Sequence, residues 1–144
     1  MIAPRLIILD TNVVSELARP VPDARVLEWL GAQPPGDVFL SAVTEAELRY
    51  GVAILPEGRR RNELAVALDN FIGGEFAGRA LPFDSFAAQA YATIAAERRT
   101  AGRPIAPFDA QIAAIARSLG ASVATRDAGG FEGTGIELID PWTD

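Results

Sequence analysis

The sequence predicts an α/β domain of three layers, with helices on both sides of a mainly parallel sheet. Short apolar segments alternate with segments of helical periodicity, and several apolar segments end at a polar residue. One of them, residues 6–9, is apolar without alternation, which is typical of a strand buried on both faces of a parallel sheet. No repeat or linker interrupts the 144 residues, so residues 1–144 are expected to form one domain.

The first predicted strand begins at Arg5 and ends at Leu9 or Asp10. Asp10 then stands at the carboxyl end of a central strand, where open α/β sheets bind their ligands. Thr11 or Asn12 is expected to cap a helix that runs to about residue 17.

Turn and cap residues delimit the other elements. Ser41 and Asp84 are typical N-cap residues, Pro107 suits the first turn of a helix, and Gly120 is typical of a helix end. The elements predicted in this way are helices at residues 23–31, 41–55, 59–71, 84–100 and 107–119, and strands at residues 38–40, 79–83, 121–125 and 136–139.

Glu47 is the least expected residue of the chain. It falls near the middle of the apolar face predicted for the helix at 41–55. Burial of a lone carboxylate costs several kcal/mol unless the group is paired, protonated or bound to a metal. The residues of that face are Val43, Leu48, Tyr50, Gly51, Ile54 and Leu55.

The composition excludes most catalytic chemistries. Cysteine, histidine and lysine are absent, and all 13 basic residues are arginine. The chain therefore has no thiol nucleophile, no imidazole base, and no amine for a Schiff base or a phosphate-binding loop. The carboxylates, hydroxyls, amides and guanidinium groups that remain favour carboxylate acid–base chemistry or a hard cation such as Mg²⁺ or Mn²⁺.

Four carboxylates occupy positions that suit a shared site. Asp10 and Asp127 follow predicted strands, Asp109 lies in the first turn of a helix, and Glu47 lies on an apolar face. The three aspartates also have plain structural explanations, as a helix cap, a complement to a helix dipole or a turn residue. That explanation is weakest for Glu47. Asp84 is left out of the set because helix capping accounts for it.

If these carboxylates meet, their mutual repulsion requires protons or a divalent cation. Mg²⁺ or Mn²⁺ is the simpler answer, and such a cation would hold a scissile phosphate and lower the pKa of a bound water for phosphodiester hydrolysis. Thr11, Asn12 and Thr125 are supporting candidates, because their hydroxyl and amide groups can orient a carboxylate or a metal-bound water.

Charge and hydropathy bear on partners and location. A net charge of −6 does not favour broad affinity for nucleic acid, although it does not exclude a nucleic-acid substrate. No segment approaches the roughly 18 continuous apolar residues of a membrane span, and the N-terminus lacks the pattern of a signal peptide. A cytoplasmic protein without membrane contact is therefore expected.

Four short sequence blocks follow one another in the order found in a known protein family. They are Leu9-Asp10-Thr11-Asn12; Ser41-Ala42-Val43-Thr44-Glu45-Ala46-Glu47-Leu48 with Gly51; Asp109-Ala110-Gln111-Ile112-Ala113-Ala114-Ile115-Ala116; and Thr125-Arg126-Asp127 with Phe131. In these blocks and in its Pro141-Trp142 ending, the chain resembles the PIN-domain family. It is most similar to the VapC-like and FitB-like toxin subunits of bacterial type II toxin–antitoxin pairs.

The resemblance implies an endoribonuclease that uses Mg²⁺ or Mn²⁺ and is held inactive by a cognate antitoxin protein whose C-terminal segment covers the site. It places the acidic quartet of the family on Asp10, Glu47, Asp109 and Asp127, with Thr125 as a polar neighbour. It also implies a homodimer. With RNA as the substrate, the candidate contacts are the clustered arginines Arg59, Arg60, Arg61, Arg98, Arg99 and Arg103.

Other functions compete with this interpretation. A phosphoacceptor receiver domain needs a lysine, and an aspartate-nucleophile phosphatase needs a second aspartate where this chain has Asn12. A PIN-fold binding module that works through an antitoxin and operator DNA stays open, although an intact acidic quartet favours catalysis.

Overall fold

A computed structural model describes residues 5–144 and contains a five-stranded sheet. The strands are β1 (Ile7–Leu9), β2 (Val38–Ser41), β3 (Ala80–Leu81), β4 (Ser122–Ala124) and β5 (Leu138–Ile139). They lie in the order β3-β2-β1-β4-β5, and each described pairing is parallel. β1 and β4 are therefore neighbours at the centre, and their carboxyl ends meet at one edge of the sheet.

Helices cover both faces of the sheet, which confirms the predicted three-layer α/β class. Ile7 and Leu9 pack on one face with residues of the first two helices, while Ile8 packs on the other face with residues of the later helices. This alternation explains why β1 is apolar throughout. The α-helices are α1 (Thr11–Leu17), α2 (Ala24–Gly31), α3 (Ala42–Ala53), α4 (Arg59–Asn70), α5 (Ser85–Thr100), α6 (Pro107–Leu119) and α7 (Ala128–Phe131).

Local chemistry sets several element boundaries as predicted. Ser41 accepts a hydrogen bond from the backbone of Thr44 at 3.0 Å, Asp84 caps α5, and Gly120 ends α6 in the left-handed conformation. The cap predicted for the first helix was wrong. β1 ends at Leu9, so Asp10 has an extended backbone and itself caps α1.

The apolar face predicted for α3 is confirmed at Val43 and Leu48 but was wrong for the second half of the helix. Tyr50 and Ile54 are 67% and 63% exposed, whereas Val43 and Thr44 in the first turn are buried. The first turn follows β2 into the core, while the later turns lie beside α4, so the buried direction changes along the helix. Glu47 is consequently half-buried rather than enclosed by apolar side chains.

The segment after α4 differs from the prediction as well. The helix expected to end at Phe71 ends at Asn70 and continues as a π-helical turn, Phe71–Glu75. Ile72 within this turn and Phe76 directly after it are buried in the core. Among residues 5–144, no helix combines the length and apolar character that a membrane crossing requires.

Candidate active site

One cavity of about 580 Å³ opens at the edge of the sheet where β1 and β4 end. Asp10, Glu47, Asp109 and Asp127 all line this acidic cavity, although they come from distant parts of the sequence. Thr11 and Asn12 line it too, and the remaining lining residues are Ser15, Glu16, Arg19, Arg126 and Trp142.

Asp10 lies at the closed end of the cavity and is 5% exposed. Its Oδ1 accepts a hydrogen bond from the backbone of Thr11 at 2.8 Å, and its Oδ2 accepts one from Thr125 Oγ1 at 2.8 Å. Burial raises the pKa of Asp10 above its ordinary value, and repulsion from Asp127 adds to the increase, while the bonds from Thr125 and Thr11 oppose it. Asp10 thus both caps a helix and presents a carboxylate to the cavity.

Glu47 is held by a hydroxyl of α1. Thr11 Oγ1 donates to Glu47 Oε1 at 2.9 Å and also lies 3.1 Å from the hydroxyl oxygen of the buried Thr44. The pair of threonines joins α1 to α3 and fixes one oxygen of Glu47. This direct contact with Glu47 agrees with the supporting role predicted for Thr11.

Asp109 enters the cavity from the first turn of α6, beside the fully buried Ala110. Burial, and after it repulsion from Asp10, Asp127 and Glu47, together raise its pKa to about 6, while Arg98 acts in the opposite direction. The repulsion follows from the short separations of these carboxylates in the cavity, because charges far apart in water are screened from one another.

Asp127 is exposed at the opening of the cavity and precedes α7. Its Oδ1 accepts a hydrogen bond from the backbone of Gly130 at 3.1 Å, so the carboxylate also caps this short helix. Its own backbone donates to Thr125 Oγ1 at 3.0 Å. The sequence also allowed Asp127 to be a plain turn residue, and this capping bond agrees with that in part. The bond uses Oδ1 only, so Asp127 Oδ2 carries no capping bond.

The chemistry of the site suits a hard divalent cation. Its donors are carboxylate oxygens with hydroxyl and amide neighbours, the ligand types that Mg²⁺ and Mn²⁺ prefer. Within residues 5–144, no three acidic side chains are already arranged as a formed metal-binding group. The four carboxylates share one cavity without closing around a common point.

The structure separates the six arginines proposed as RNA contacts from this cavity, because none of them lines it. The prediction for Arg98 was wrong: its side chain is buried and donates to backbone carbonyl groups. Arg59 and Arg103 are paired with Glu63 and Glu132. For Arg59, Arg60, Arg61, Arg99 and Arg103, RNA contact stays a prediction.

Two other cations line the acidic cavity and were missed from the sequence. The guanidinium of Arg126 lies 4.8 Å from the ring centre of Trp142, and its backbone donates to Asn12 Oδ1 at 3.2 Å. Arg19 lies just after the end of α1, and its Nη1 donates to Oε1 of the buried Glu16 at 3.3 Å. For Arg19 the only signal was an acid three residues before it, Glu16, near the end of the predicted helix.

Comparison with known proteins places this chain in one family. Residues 7–136 match the family described as PIN domain. Toxin FitB of Neisseria gonorrhoeae is 47% identical over 139 residues, which cover 96% of this chain and 100% of the relative. VapC ribonuclease Y4jK of Sinorhizobium fredii is 45% identical over 137 residues, which cover 95% of this chain and 98% of the relative.

Solved structures agree with these relatives. The crystal structure of FitAcB from Neisseria gonorrhoeae has a chain that superposes with a TM-score of 0.89 at 46% identity, over 96% of this chain and 100% of that chain. DNA-bound VapBC from Salmonella typhimurium has a chain with a TM-score of 0.80 at 27% identity, over 95% of this chain and 98% of that chain. The resemblance noted from the sequence is confirmed, and the chain belongs to the PIN-domain family.

Proposed function

We propose that this protein is an endoribonuclease, the toxin of a type II toxin–antitoxin pair, which uses Mg²⁺ or Mn²⁺ to hydrolyse RNA phosphodiester bonds. The observation that carries the proposal is the convergence of Asp10, Glu47, Asp109 and Asp127 in one cavity. The names of relatives at 45% and 47% identity, a VapC ribonuclease and the toxin FitB, support the activity and the class. The chemistry follows from the lack of histidine, cysteine and lysine, since carboxylates are the groups left for the task.

The four carboxylates would hold the cation, which supplies charge neutralisation and a more acidic water when bound. The chain's own residues orient the ligands. Thr125 and the backbone of Thr11 hold the two oxygens of Asp10, and the Thr11 hydroxyl holds one oxygen of Glu47. Residues that hold metal ligands in this way limit the rotation of the ligand side chains and so increase the affinity of the site for the metal.

Arg126 and Arg19 are the proposed contacts for the RNA backbone. A polyanion entering an acidic cavity needs cations near the carboxylates, and these two arginines line that cavity. Arg126 has no carboxylate within ion-pairing distance among the described residues, so its guanidinium is available to a phosphate. Trp142, which is 5% exposed, packs against this guanidinium and limits the directions it can take.

The proposed partner is an antitoxin protein. Solved relatives are complexes, including FitAB bound to the IR36 DNA fragment at 45% identity and a TM-score of 0.87. Operator binding by such a complex is the second candidate function, and it is compatible with catalysis by the free toxin. The homodimer implied by the family resemblance stays a prediction.

RNA cleavage by the purified protein tests the proposal. The wild-type protein is expected to cut RNA with Mg²⁺ or Mn²⁺, and this cleavage is expected to stop when EDTA is added. Folded Asp10→Asn and Asp109→Asn variants are expected to cut no RNA and to cause no growth arrest on expression. The matched control is Asp84→Asn, which removes an acid outside the cavity. Tight antitoxin binding by a wild type that cuts no RNA with either cation would favour the binding module instead.

A further inference from the structure

Arg98 is a buried cation that lies outside the acidic cavity. It is 7% exposed and, among residues 5–144, forms no ion pair with a carboxylate. Its Nε donates to the carbonyl oxygen of Arg103 at 2.6 Å, and its Nη1 donates to the carbonyl oxygens of Gly130 and Glu132 at 3.2 and 2.6 Å. A buried guanidinium is costly unless its donors are satisfied, so these carbonyl contacts are strong restraints.

Those carbonyl groups belong to two segments that meet beside the site. Arg103 follows the end of α5, while Gly130 and Glu132 belong to α7 and the turn after it. The same turn is anchored by Phe131, which is 1% exposed, and by Thr134, whose hydroxyl donates to the Phe131 carbonyl at 2.6 Å. Arg98 is thus the polar part of an anchor that fixes α7 against α5.

Gly130 connects this anchor to the acidic cavity. Its carbonyl accepts from Arg98, and its backbone N–H donates to Asp127 Oδ1 at 3.1 Å. A Cβ atom at position 130 would lie 2.5 Å from Asp127 Oδ2 and 3.4 Å from Asp109 Oδ2. The first distance is far inside van der Waals contact, so a side chain here would displace the carboxylate of Asp127.

The neighbouring glycine has no such restriction. A Cβ at Gly129 would lie 3.9 Å from Asp127 Oδ1, which is ordinary contact. Neither Gly129 nor Gly130 has a positive φ, so both backbones accept an L-amino acid and only the space differs. The missing side chain at position 130 therefore lets the carboxylates of α6 and the α7 turn approach the same backbone.

We propose that Arg98 and Gly130 form a positioning unit for the acidic site: Arg98 holds the Gly130 peptide in place, and Gly130 sets the position of the Asp127 carboxylate relative to Asp109. Neither residue touches the substrate. The inference rests on the proposed function, because it assigns these residues to the geometry of the same cation site. It also gives the buried Arg98 a role in place of the RNA contact that its sequence cluster suggested.

The glycine pair gives the sharper test. Gly130→Ala is expected to bind Mn²⁺ about 10- to 100-fold more weakly than wild type, the range found when outer ligand-orienting contacts are lost. Gly129→Ala is the matched control and is expected to bind as wild type does. Isothermal titration calorimetry with Mn²⁺ alone gives the affinities, at a temperature where circular dichroism shows every variant folded, so a loss of stability does not mimic the effect.

The arginine pair tests the other half of the unit. Arg98→Met removes the three carbonyl contacts, whereas Arg99→Met removes the next arginine of α5, which is exposed. Weakened Mn²⁺ binding is expected for Arg98→Met alone. In cleavage assays at saturating RNA, Arg98→Met and Gly130→Ala are expected to need more Mn²⁺ for half-maximal rate while their KM for RNA is unchanged.

If Arg98→Met does not fold, Gly130→Ala alone decides the question, because it leaves Arg98 intact. Wild-type Mn²⁺ affinity in a folded Gly130→Ala protein, or equal losses in both glycine variants, would overturn the positioning unit while leaving the proposed function standing. A wild-type protein that neither binds Mn²⁺ nor cuts RNA would overturn the proposed function itself, and this inference with it.

Discussion

Thr125 Oγ1 donates a hydrogen bond to Asp10 Oδ2 at 2.8 Å, although the two residues are 115 positions apart in the sequence. The same hydroxyl oxygen accepts from the Asp127 backbone at 3.0 Å and from Asn12 Nδ2 at 3.2 Å. One donated and two accepted hydrogen bonds use the full bonding capacity of a threonine hydroxyl. At 1% exposure, Thr125 joins the ends of β1 and β4 and fixes two of the four acids.

Replacement of this hydroxyl should therefore be costly. Thr125→Val keeps the shape but removes the side-chain hydrogen bond that lowers the pKa of the buried Asp10 carboxyl, so this pKa rises further above its ordinary value. The free energy of unfolding is expected to fall by about 1.5 to 3 kcal/mol, as for hydrogen bonds to charged groups. Urea unfolding at pH 7 measures the change. Thr125→Ser, which keeps the donor, is the control, and a valine variant as stable as wild type would contradict the role.

The acidic site should destabilise the metal-free protein at neutral pH. The pKa of Asp109 is raised to about 6 in the folded protein, against roughly 3.9 for an aspartate in an unfolded chain. A group with a raised pKa contributes to the free energy of unfolding, and this contribution is fully present below about pH 4 and is lost as the pH rises through about 6. In EDTA, Asp109→Asn should melt above wild type at pH 8, and the difference should vanish near pH 4. A wild type that melts higher at pH 8 would contradict this sign.

Cation binding should show the opposite pH dependence. A protonated Asp109 is a poor ligand, so saturating Mn²⁺ is expected to raise the melting temperature of wild type at pH 8 and to raise it much less at pH 5. Asp109→Asn should show little shift at either pH. Thermal unfolding followed by circular dichroism measures both. An equal Mn²⁺ shift in Asp109→Asn at pH 8 would remove Asp109 from the ligand set.

The cavity arginines should contribute to RNA binding more than the distal cluster does. Arg126→Gln is expected to weaken RNA binding and to reduce the slope of log affinity against log salt by about one. Arg60→Gln, which changes an exposed arginine away from the cavity, is the comparison and should reduce the slope less. Fluorescence anisotropy with catalytically inactive Asp10→Asn as the background measures both. The reverse result would move the RNA contact to the cluster at residues 59–61.

Local chemistry explains what the sequence predicted well. The strand at residues 7–9, the caps at Ser41 and Asp84 and the end of α6 at Gly120 depend on neighbouring residues, and each appears in the structure. The acids at the ends of β1 and β4 converge because parallel strands place their carboxyl ends at one edge.

Long-range contacts explain what the sequence did not reveal. Arg98 looked like an exposed cluster residue, and its burial depends on carbonyl groups more than 30 positions away. Tyr50 and Ile54 matched an apolar face, yet the second half of α3 extends past the core. The stacking of Arg126 on Trp142 joins two loops, and no spacing rule predicts such a contact.

Anomalous diffraction from crystals soaked in Mn²⁺ tests the central claim most directly, because it locates the cation without assuming any activity. A peak within ligand distance of the Asp10 and Asp109 carboxylates, absent from Asp109→Asn crystals soaked in the same way, is the predicted result. A peak confined to other carboxylates, or no peak in the acidic cavity at saturating Mn²⁺, would contradict it.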